Sequence, residues 1–512
     1  MGLTRVIKMC KCVCQSLLHR RVKPPLYDRA MKKLISALIL LSLTFPARPA
    51  EDLPELGDIS SASLSTQQEQ ALGRQVMLEI RSDPDYLTDP FTAEYLNILG
   101  NHLVGNAGGG DQTFEFFVVR DSTLNAFALP GGFVGVHTGL LIAAENESEL
   151  ASVLSHEIAH VTQHHVARMM AAQSQNTLPM LAALAAAILA ARSNPQLAGG
   201  AIMGVQGGMI QSQINFTRDN EREADRIGMQ TLVKSGYDAR GMASFFERLQ
   251  KYTRFYETNA PSYLRTHPVT YERIADIENR LKDVPFRPVP DSLDFQLMRA
   301  RLRATLPTPR EAIAWFENVL AEGGDPNAIP QLYGQTLALV RSRRFADAHT
   351  LLARLQPRLP AHSWIEQLAA QLAHDEGNLK ESIRAYRQAI AHAPNSRGLQ
   401  YGYLESLLEA DQAQLALDFL ISRLQTVHND DRLYELQARS YAMLNKQLLQ
   451  HRAQAEAYIC KGNIIAAVDQ LMIAIKSGDG DFYSQSATEA RLKELRAMID
   501  YDRAMKQRGG QR

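Results

Sequence analysis

Residues 146–170 read NESELASVLSHEIAHVTQHHVARMM. Apolar residues recur at helical spacing, acids crowd the start, and Asn146 or Ser148 is available as an N-cap, so the stretch predicts one long helix. Four of the chain's 14 histidines fall between 156 and 165. His156 and His160 are four residues apart, so they share a helical face and can converge on one ion. Glu157, one residue around, cannot join them on that face but can reach a water beside the ion. The His-Glu-x-x-His pattern thus divides the labour: two neutral imidazoles hold zinc, and the carboxylate takes a proton from an attacking water. His164 continues the stripe but rises about 12 Å from His156. Gln163 stands where a glycine would be needed to break the helix and recruit a later histidine. His164 and His165 are therefore expected as surface or packing residues on a continuing helix.

A catalytic zinc needs a third protein ligand and an open fourth position. The best source is NEREADRIG at 220–228. Glu221 and Asp225 are four apart on one helical face, and small Ala224 permits a close approach to the first helix. Glu221 is the ligand candidate. Asp225 suits a supporting role, accepting a hydrogen bond from a ligand imidazole and fixing its tautomer. Glu223 is expected to point away into solvent. On the residues alone, a solvated pair of charges competes with this reading of Glu221 and Asp225.

Working outward, FEFFVVR at 114–120 is apolar, aromatic and β-branched, which predicts a buried strand. NAFALPGGFVGVHTGLL at 125–141 predicts strand, tight turn, strand around Pro130, Gly131 and Gly132. Residues 66–104 have helical periodicity interrupted by SDPDYLTDP. Residues 177–210 are small and apolar, but the uninterrupted run at 178–191 contains Pro179 and falls short of the roughly 20 residues a spanning helix needs. A buried or amphipathic hairpin is expected there, with peripheral membrane contact as the alternative.

The Pro-rich stretch DVPFRPVPDS at 283–292 predicts a linker. Beyond it the chain is helical and repetitive. Pro360 and Pro394 are 34 residues apart, as are Ala348, Ser382 and Ala416. GNLKESIRAYRQAIAHAPNS at 377–396 carries small, aromatic, small and proline residues at tetratricopeptide-repeat positions, and GNIIAAVDQLMIAIKSG at 462–478 is another match. Ala467 follows Ala416 by one and a half periods, so an extra helix is expected between them. About four helix pairs fit between 295 and 500, forming an array whose concave face suits protein partners.

The 512 residues carry 55 basic and 55 acidic side chains, 45% apolar and 21% charged residues. That composition is ordinary for a globular protein and indicates neither disorder nor a polytopic membrane protein, and no dense basic patch beyond the N-terminus points to nucleic acid. Cys10, Cys12 and Cys14 precede MKKLISALILLSLTFPARPA at 31–50, which has the basic start and short apolar core of a secretory signal, with Met31 as the expected start. Arg48 is an unusual residue near the cleavage point. An exported chain cut near Ala50 keeps only Cys460 and no intramolecular disulfide.

HEIAH, then EREAD about sixty residues later, with NAFALPGGFVGVHTGLL before and LRTHPVTYERIAD after, resembles the zinc metallopeptidases that include the heat-shock membrane protease HtpX and the CAAX prenyl endopeptidase. The resemblance spans roughly residues 60–280. The whole layout is similar to the periplasmic members that serve outer-membrane β-barrel assembly. It implies one zinc ion per subunit held by His156, His160 and Glu221, Glu157 as general base and Asp225 as supporting acid. It further implies that His267 can approach the zinc and silence the enzyme, although the bare residues fit a loop histidine equally well. The strand region 125–136 would pair with an extended substrate. Outer-membrane β-barrel proteins and their assembly machinery are the implied partners, met through the repeats. The expected fold is a mostly helical α+β metallopeptidase domain at 51–285, with a small sheet beside the His-Glu-x-x-His helix. An all-α repeat solenoid follows at 286–512, and residues 1–50 are extension and signal. A chaperone-like adaptor with its protease held latent by His267 is the alternative. An integral membrane protease is disfavoured by the short apolar run.

Overall fold

The computed structural model describes residues 65–108, 112–171, 218–255 and 262–509. The expected signal segment, Cys10, Cys12, Cys14 and residues 177–210 lie outside the described residues. The first part runs α1 (Thr66–Ser82), α2 (Pro90–Ala107), β1 (Glu115–Val119), β2 (Ala126–Leu129), β3 (Phe133–His137), α3 (Thr138–Ala143), α4 (Glu147–Thr162) and α5 (His165–Ala171). It continues with α6 (Arg218–Lys234), α7 (Arg240–Phe255), α8 (Ser262–Thr266) and α9 (Tyr271–Leu281). The three strands lie in the order β1-β3-β2, with β1 parallel and β2 antiparallel to β3. The expected turn at 130–132 needs glycine: Gly131 and Gly132 hold φ of 81° and 91°, closed to most side chains. Strand β2 ends the sheet order and packs against α4.

Helix α4 is capped by Asn146, whose side chain accepts from the Glu149 N–H, and not by Ser148. Almost every residue of α4 is buried, polar ones included, which a helix between a sheet and other helices requires. The helix does not continue through residue 170. It ends at Thr162, and His164 adopts a left-handed φ of 52° before α5 begins. That conformation costs a non-glycine residue roughly 1–2 kcal/mol. The His164 ring meets the carboxylate of Glu69 on α1 at 3.2 Å, which holds it in the bend.

From Leu293 to Gly509 twelve helices follow: α10 (Leu293–Thr305), α11 (Pro309–Ala321), α12 (Ile329–Arg341), α13 (Phe345–Leu355), α14 (Ser363–Asp375), α15 (Leu379–His392), α16 (Arg397–Glu409), α17 (Ala413–Leu424), α18 (Asp431–Met443), α19 (Gln447–Cys460), α20 (Ile464–Lys476) and α21 (Phe482–Gly509). These make six pairs, where the sequence suggests about four. The first pair falls outside the strict period: Ala312 and Phe316 on α11 repeat the spacing of Ser382 and Tyr386, but Ala312 precedes Ala348 by 36 residues, not 34. Ala348, Ser382 and Ala416, at matching places on α13, α15 and α17, are fully buried, as is Ala467 on α20. Two helices, α18 and α19, separate α17 from α20 where a regular array has one.

The 34-residue period also appears in the backbone. Arg343, Gly377, Asp411 and Asn445 are the left-handed residues that end α12, α14, α16 and α18, with φ of 59°, 85°, 59° and 58°. After each, the next N–H donates back to a carbonyl five residues earlier, as Asn378 does to Ala373 at 2.8 Å.

Residues Ile59–Arg512 form one compact unit, and the array closes around α2. Arg301 on α10 grips the carboxylate of Asp89, the N-cap of α2, at 2.6–2.9 Å. Its third nitrogen meets Tyr333 Oη and Gln367 Oε1 from α12 and α14. Phe91 on α2 packs edge-on against Trp364 on α14, with ring centroids 5.3 Å apart. Gly398 on α16 leaves room for the Phe91 ring, which a Cβ there would approach to 2.2 Å.

A second junction joins the two parts end to end. The Glu147 N–H, first of α4, donates to Asp291 Oδ1 at 2.7 Å. In return the Glu147 carboxylate accepts the N–H and hydroxyl of Ser292, the N-cap of α10, and the hydroxyl of Tyr95 on α2. Helices α4 and α10 thereby cap one another. Among the described residues, no helix is long and apolar enough to cross a membrane.

Candidate metal centre

Helix α6 crosses α4 on a face of small residues. Ala224 is fully buried, and at Gly228 a Cβ would lie 3.1 Å from the His156 backbone. This close approach brings Glu221 and Asp225 against the histidines of α4. His156 Nε2 and His160 Nε2 are 3.0 Å apart. Glu221 Oε2 lies 3.5 Å from the former and Oε1 3.5 Å from the latter. His267, just past α8, closes the cluster with Nδ1 3.0 Å from Glu221 Oε1 and 3.4 Å from His156 Nε2. One donor atom from each of His156, His160, Glu221 and His267 falls within 4.8 Å of the others, and all four residues are buried. Two imidazoles, a carboxylate and a third imidazole suit a divalent ion of zinc's kind. Both carboxylate oxygens of Glu157 are buried beside the cluster and make no close side-chain hydrogen bond; the backbone of Ala128 on β2 and His267 Nε2, 3.6 Å from one oxygen, are their polar neighbours. A carboxylate so placed is expected to work on a water or a substrate. The residues fit a metal with a base beside it.

The surroundings orient these groups. His156 Nδ1 lies 3.0 Å from Asp225 Oδ1, and Arg273 from α9 clamps both Asp225 oxygens at 2.7 Å. Arg273 also reaches Glu221 Oε2 at 2.7 Å. The Tyr263 ring stacks on His267 with centroids 4.7 Å apart, and its hydroxyl is buried without a partner.

Charge follows from this packing. Burial pushes the Glu157 carboxyl up from its ordinary range, against the opposing pull of His267 and His156, which makes it a stronger base than a solvated glutamate. Burial also disfavours a charge on His156, but the hydrogen bonds its ring donates to Asp225 and Glu221 outweigh it and push the ring up to about 9. Burial, then the charge of His156, holds His160 well below the usual histidine value. At Asp225 burial is outweighed by the Arg273 guanidinium, which keeps the carboxyl low. Burial likewise opposes ionisation of Glu221, yet the neighbouring imidazoles depress it strongly.

Residues 90–281 match peptidase family M48. Over 479 residues, 92% of this chain and 98% of the relative, the sequence is 31% identical to the β-barrel assembly-enhancing protease of Escherichia coli O157:H7. The chain belongs to the β-barrel assembly-enhancing protease family. The corresponding protein of Yersinia pestis is 30% identical over 452 residues, 88% of this chain and 93% of the relative. Metalloprotease LoiP of Escherichia coli is 29% identical over 261 residues, 49% of this chain and 97% of the relative. The chain is therefore a metallopeptidase of family M48, with a C-terminal array of helix pairs resembling tetratricopeptide repeats.

In this family member the structure brings His156, Glu157, His160, Glu221, Asp225 and His267 into one buried cluster. Two expectations are corrected. His165 is no bystander: its ring is fully buried, with Nδ1 2.7 Å from His160 Nδ1. Glu223 is not simply solvated, since its carboxylate meets His165 Nε2 at 3.2 Å and Arg168 at 2.6 Å. Burial holds the His165 ring down to about 4, so it is neutral at ordinary pH. His164 stays out of the cluster and pairs with Glu69. Arg273 was not singled out from the sequence; its signal is its place on a helix six residues after His267, within the quoted LRTHPVTYERIAD.

Proposed function

We propose that this chain is a zinc endopeptidase of the bacterial periplasm that degrades misassembled outer-membrane β-barrel proteins and assists their assembly. The observation that carries the hydrolytic reading is the buried three-histidine, one-glutamate cluster beside the buried carboxylate of Glu157, which makes no close side-chain hydrogen bond. The names of the relatives support the β-barrel clients and the envelope location. His156, His160 and Glu221 would hold the ion, which when bound supplies Lewis acidity toward a peptide carbonyl. Glu157 takes the proton from the attacking water on a carboxylate oxygen and returns it to the departing amide nitrogen. Asp225, held by Arg273, keeps the proton of His156 on Nδ1 so that Nε2 faces the ion. Strand β2, at the end of the sheet order beside α4, offers a backbone edge for an extended segment.

His267 supports a second, latent state. One of its ring nitrogens lies within 4.8 Å of the other three donors, and a fourth protein ligand would fill the position a substrate needs. An adaptor role, in which the array holds clients while hydrolysis is silent, follows from that placement. The test compares wild type, Glu157→Gln and His267→Ala in metal content, cleavage of an unfolded β-barrel protein, and support of barrel assembly in cells. The proposal expects zinc in all three, no cleavage by Glu157→Gln, and faster cleavage by His267→Ala. Full assembly support by Glu157→Gln would favour the adaptor. Cleavage at the wild-type rate by Glu157→Gln would refute the assigned base.

A further inference from the structure

Each ligand imidazole has a second nitrogen, and the structure treats the two differently. His156 Nδ1 faces a carboxylate directly, that of Asp225, backed by Arg273. His160 Nδ1 faces another imidazole, His165 Nδ1, at 2.7 Å. Behind it stand Glu223, 3.2 Å from His165 Nε2, and Arg168, 2.6 Å from the same carboxylate oxygen. So each ligand is backed by a carboxylate–arginine pair, but at His160 an extra ring is inserted between.

We propose that His165 is a positioning residue for the metal, fixing the tautomer and orientation of His160 and coupling it to Glu223. His160 Nε2 faces the cluster, 3.0 Å from His156 Nε2, so as a ligand it must offer its lone pair there and keep its proton on Nδ1. Two nitrogens 2.7 Å apart need one donor and one acceptor. His160 Nδ1–H therefore donates to His165 Nδ1, which leaves the His165 proton on Nε2, where it donates to Glu223. Each proton has one assignment, and the chain ends on an anion neutralised by Arg168.

The backbone is built for this contact. In an unbroken helix residue 165 would lie about 140° around the axis from residue 160, facing away from its ring. The left-handed turn at His164 swings His165 back onto it. The bend that makes the contact possible is held by the Glu69 carboxylate, 3.2 Å from the His164 ring.

The inference rests on His160 being a ligand, so the experiment includes that control. Zinc affinity of the full chain is measured by competition with a chromophoric chelator for wild type, His160→Ala, His165→Leu, His165→Asn and Glu223→Gln. His165→Leu is expected to bind zinc about 10–100-fold more weakly, the usual effect of losing such a partner. His165→Asn is expected to stay within a few-fold of wild type, because its Oδ1 can stand where Nδ1 stood. Glu223→Gln should fall between the two. Wild-type affinity in His165→Leu, with affinity lost in His160→Ala, would overturn the relay and leave the ligand intact. Wild-type affinity in both would mean that the ligand assignment itself is wrong. Should His165→Leu fail to fold, histidine-selective nitrogen-15 spectra of the zinc-loaded wild type decide. The relay requires His165 protonated on Nε2, and a proton on its Nδ1 would overturn it.

Discussion

Replacing Arg301 with methionine would test how tightly the array is bound to the peptidase. The guanidinium bonds both oxygens of Asp89 and also reaches Tyr333 and Gln367. Its loss leaves a largely buried aspartate held only by the backbone and hydroxyl of Thr92. Removing one partner of a buried pair costs about 3–5 kcal/mol. The shift this causes depends on what melts together. The unit Ile59–Arg512 has 512 − 59 + 1 = 454 residues, and at about 2.1 cal/mol/K per residue its unfolding entropy is about 1 kcal/mol/K. One cooperative transition would then drop by about 3–5 °C. If the array melts alone, with about half the residues, the drop would be about 7–11 °C. Calorimetry of the metal-loaded chain reads the difference. Asp89→Asn should cost a similar amount, by leaving the arginine unpaired, while the double variant should recover much of the loss. Single variants that each lower the melting temperature by under 1 °C, or a double variant as damaged as the sum of the singles, would refute the clasp.

Acid should loosen the same clasp. Burial would raise Asp89, but Arg301 outweighs it and depresses the carboxyl, so its stabilisation is complete above the ordinary aspartate value of about 3.9 and is lost as pH falls through the lower folded value. Wild type should therefore lose more stability than Asp89→Asn/Arg301→Met between pH 5 and pH 2, as read by urea midpoints. Gly228→Ala puts a methyl 3.1 Å from the His156 backbone. It should cost about 1–3 kcal/mol by overpacking and weaken zinc binding by moving α6 away from α4, which chelator competition would show. Asp411 holds a left-handed φ of 59° on the surface. Asp411→Gly should raise the urea midpoint by about 0.5–1 kcal/mol of stability, the left-handed penalty less the entropy of glycine.

The His-Glu-x-x-His helix, the three short strands and the 34-residue rhythm were legible in the sequence because each depends on local spacing. Glu221 and Asp225 were legible because they share one helical turn opposite a small residue. His165 was misread for a physical reason. The helix was expected to break only at a glycine, yet it breaks at His164, where Glu69 from a distant helix compensates the strain. Arg273 belongs to the same class, since its partners Asp225 and Glu221 lie about fifty residues away along the chain. Of the four left-handed residues at the 34-residue period only Gly377 has the expected identity, so Arg343, Asp411 and Asn445 conceal it. The Pro-rich stretch at 283–292 marks a change of architecture, but composition could not show that Asp291 and Ser292 are pinned to Glu147.

That mutual capping of α4 and α10 has a consequence for how a captured chain would meet the metal centre. A flexible tether would present cargo over a range of distances, at an effective concentration set by linker length. Here the helix that carries His156 and His160 and the helix that starts the array share their terminal hydrogen bonds, so the reach is fixed by the fold. A polypeptide gripped on the repeats would offer the metal only those segments lying one set distance from the grip. Selection would then act as a ruler, discriminating by how far an unfolded segment extends from the held part as well as by its side chains.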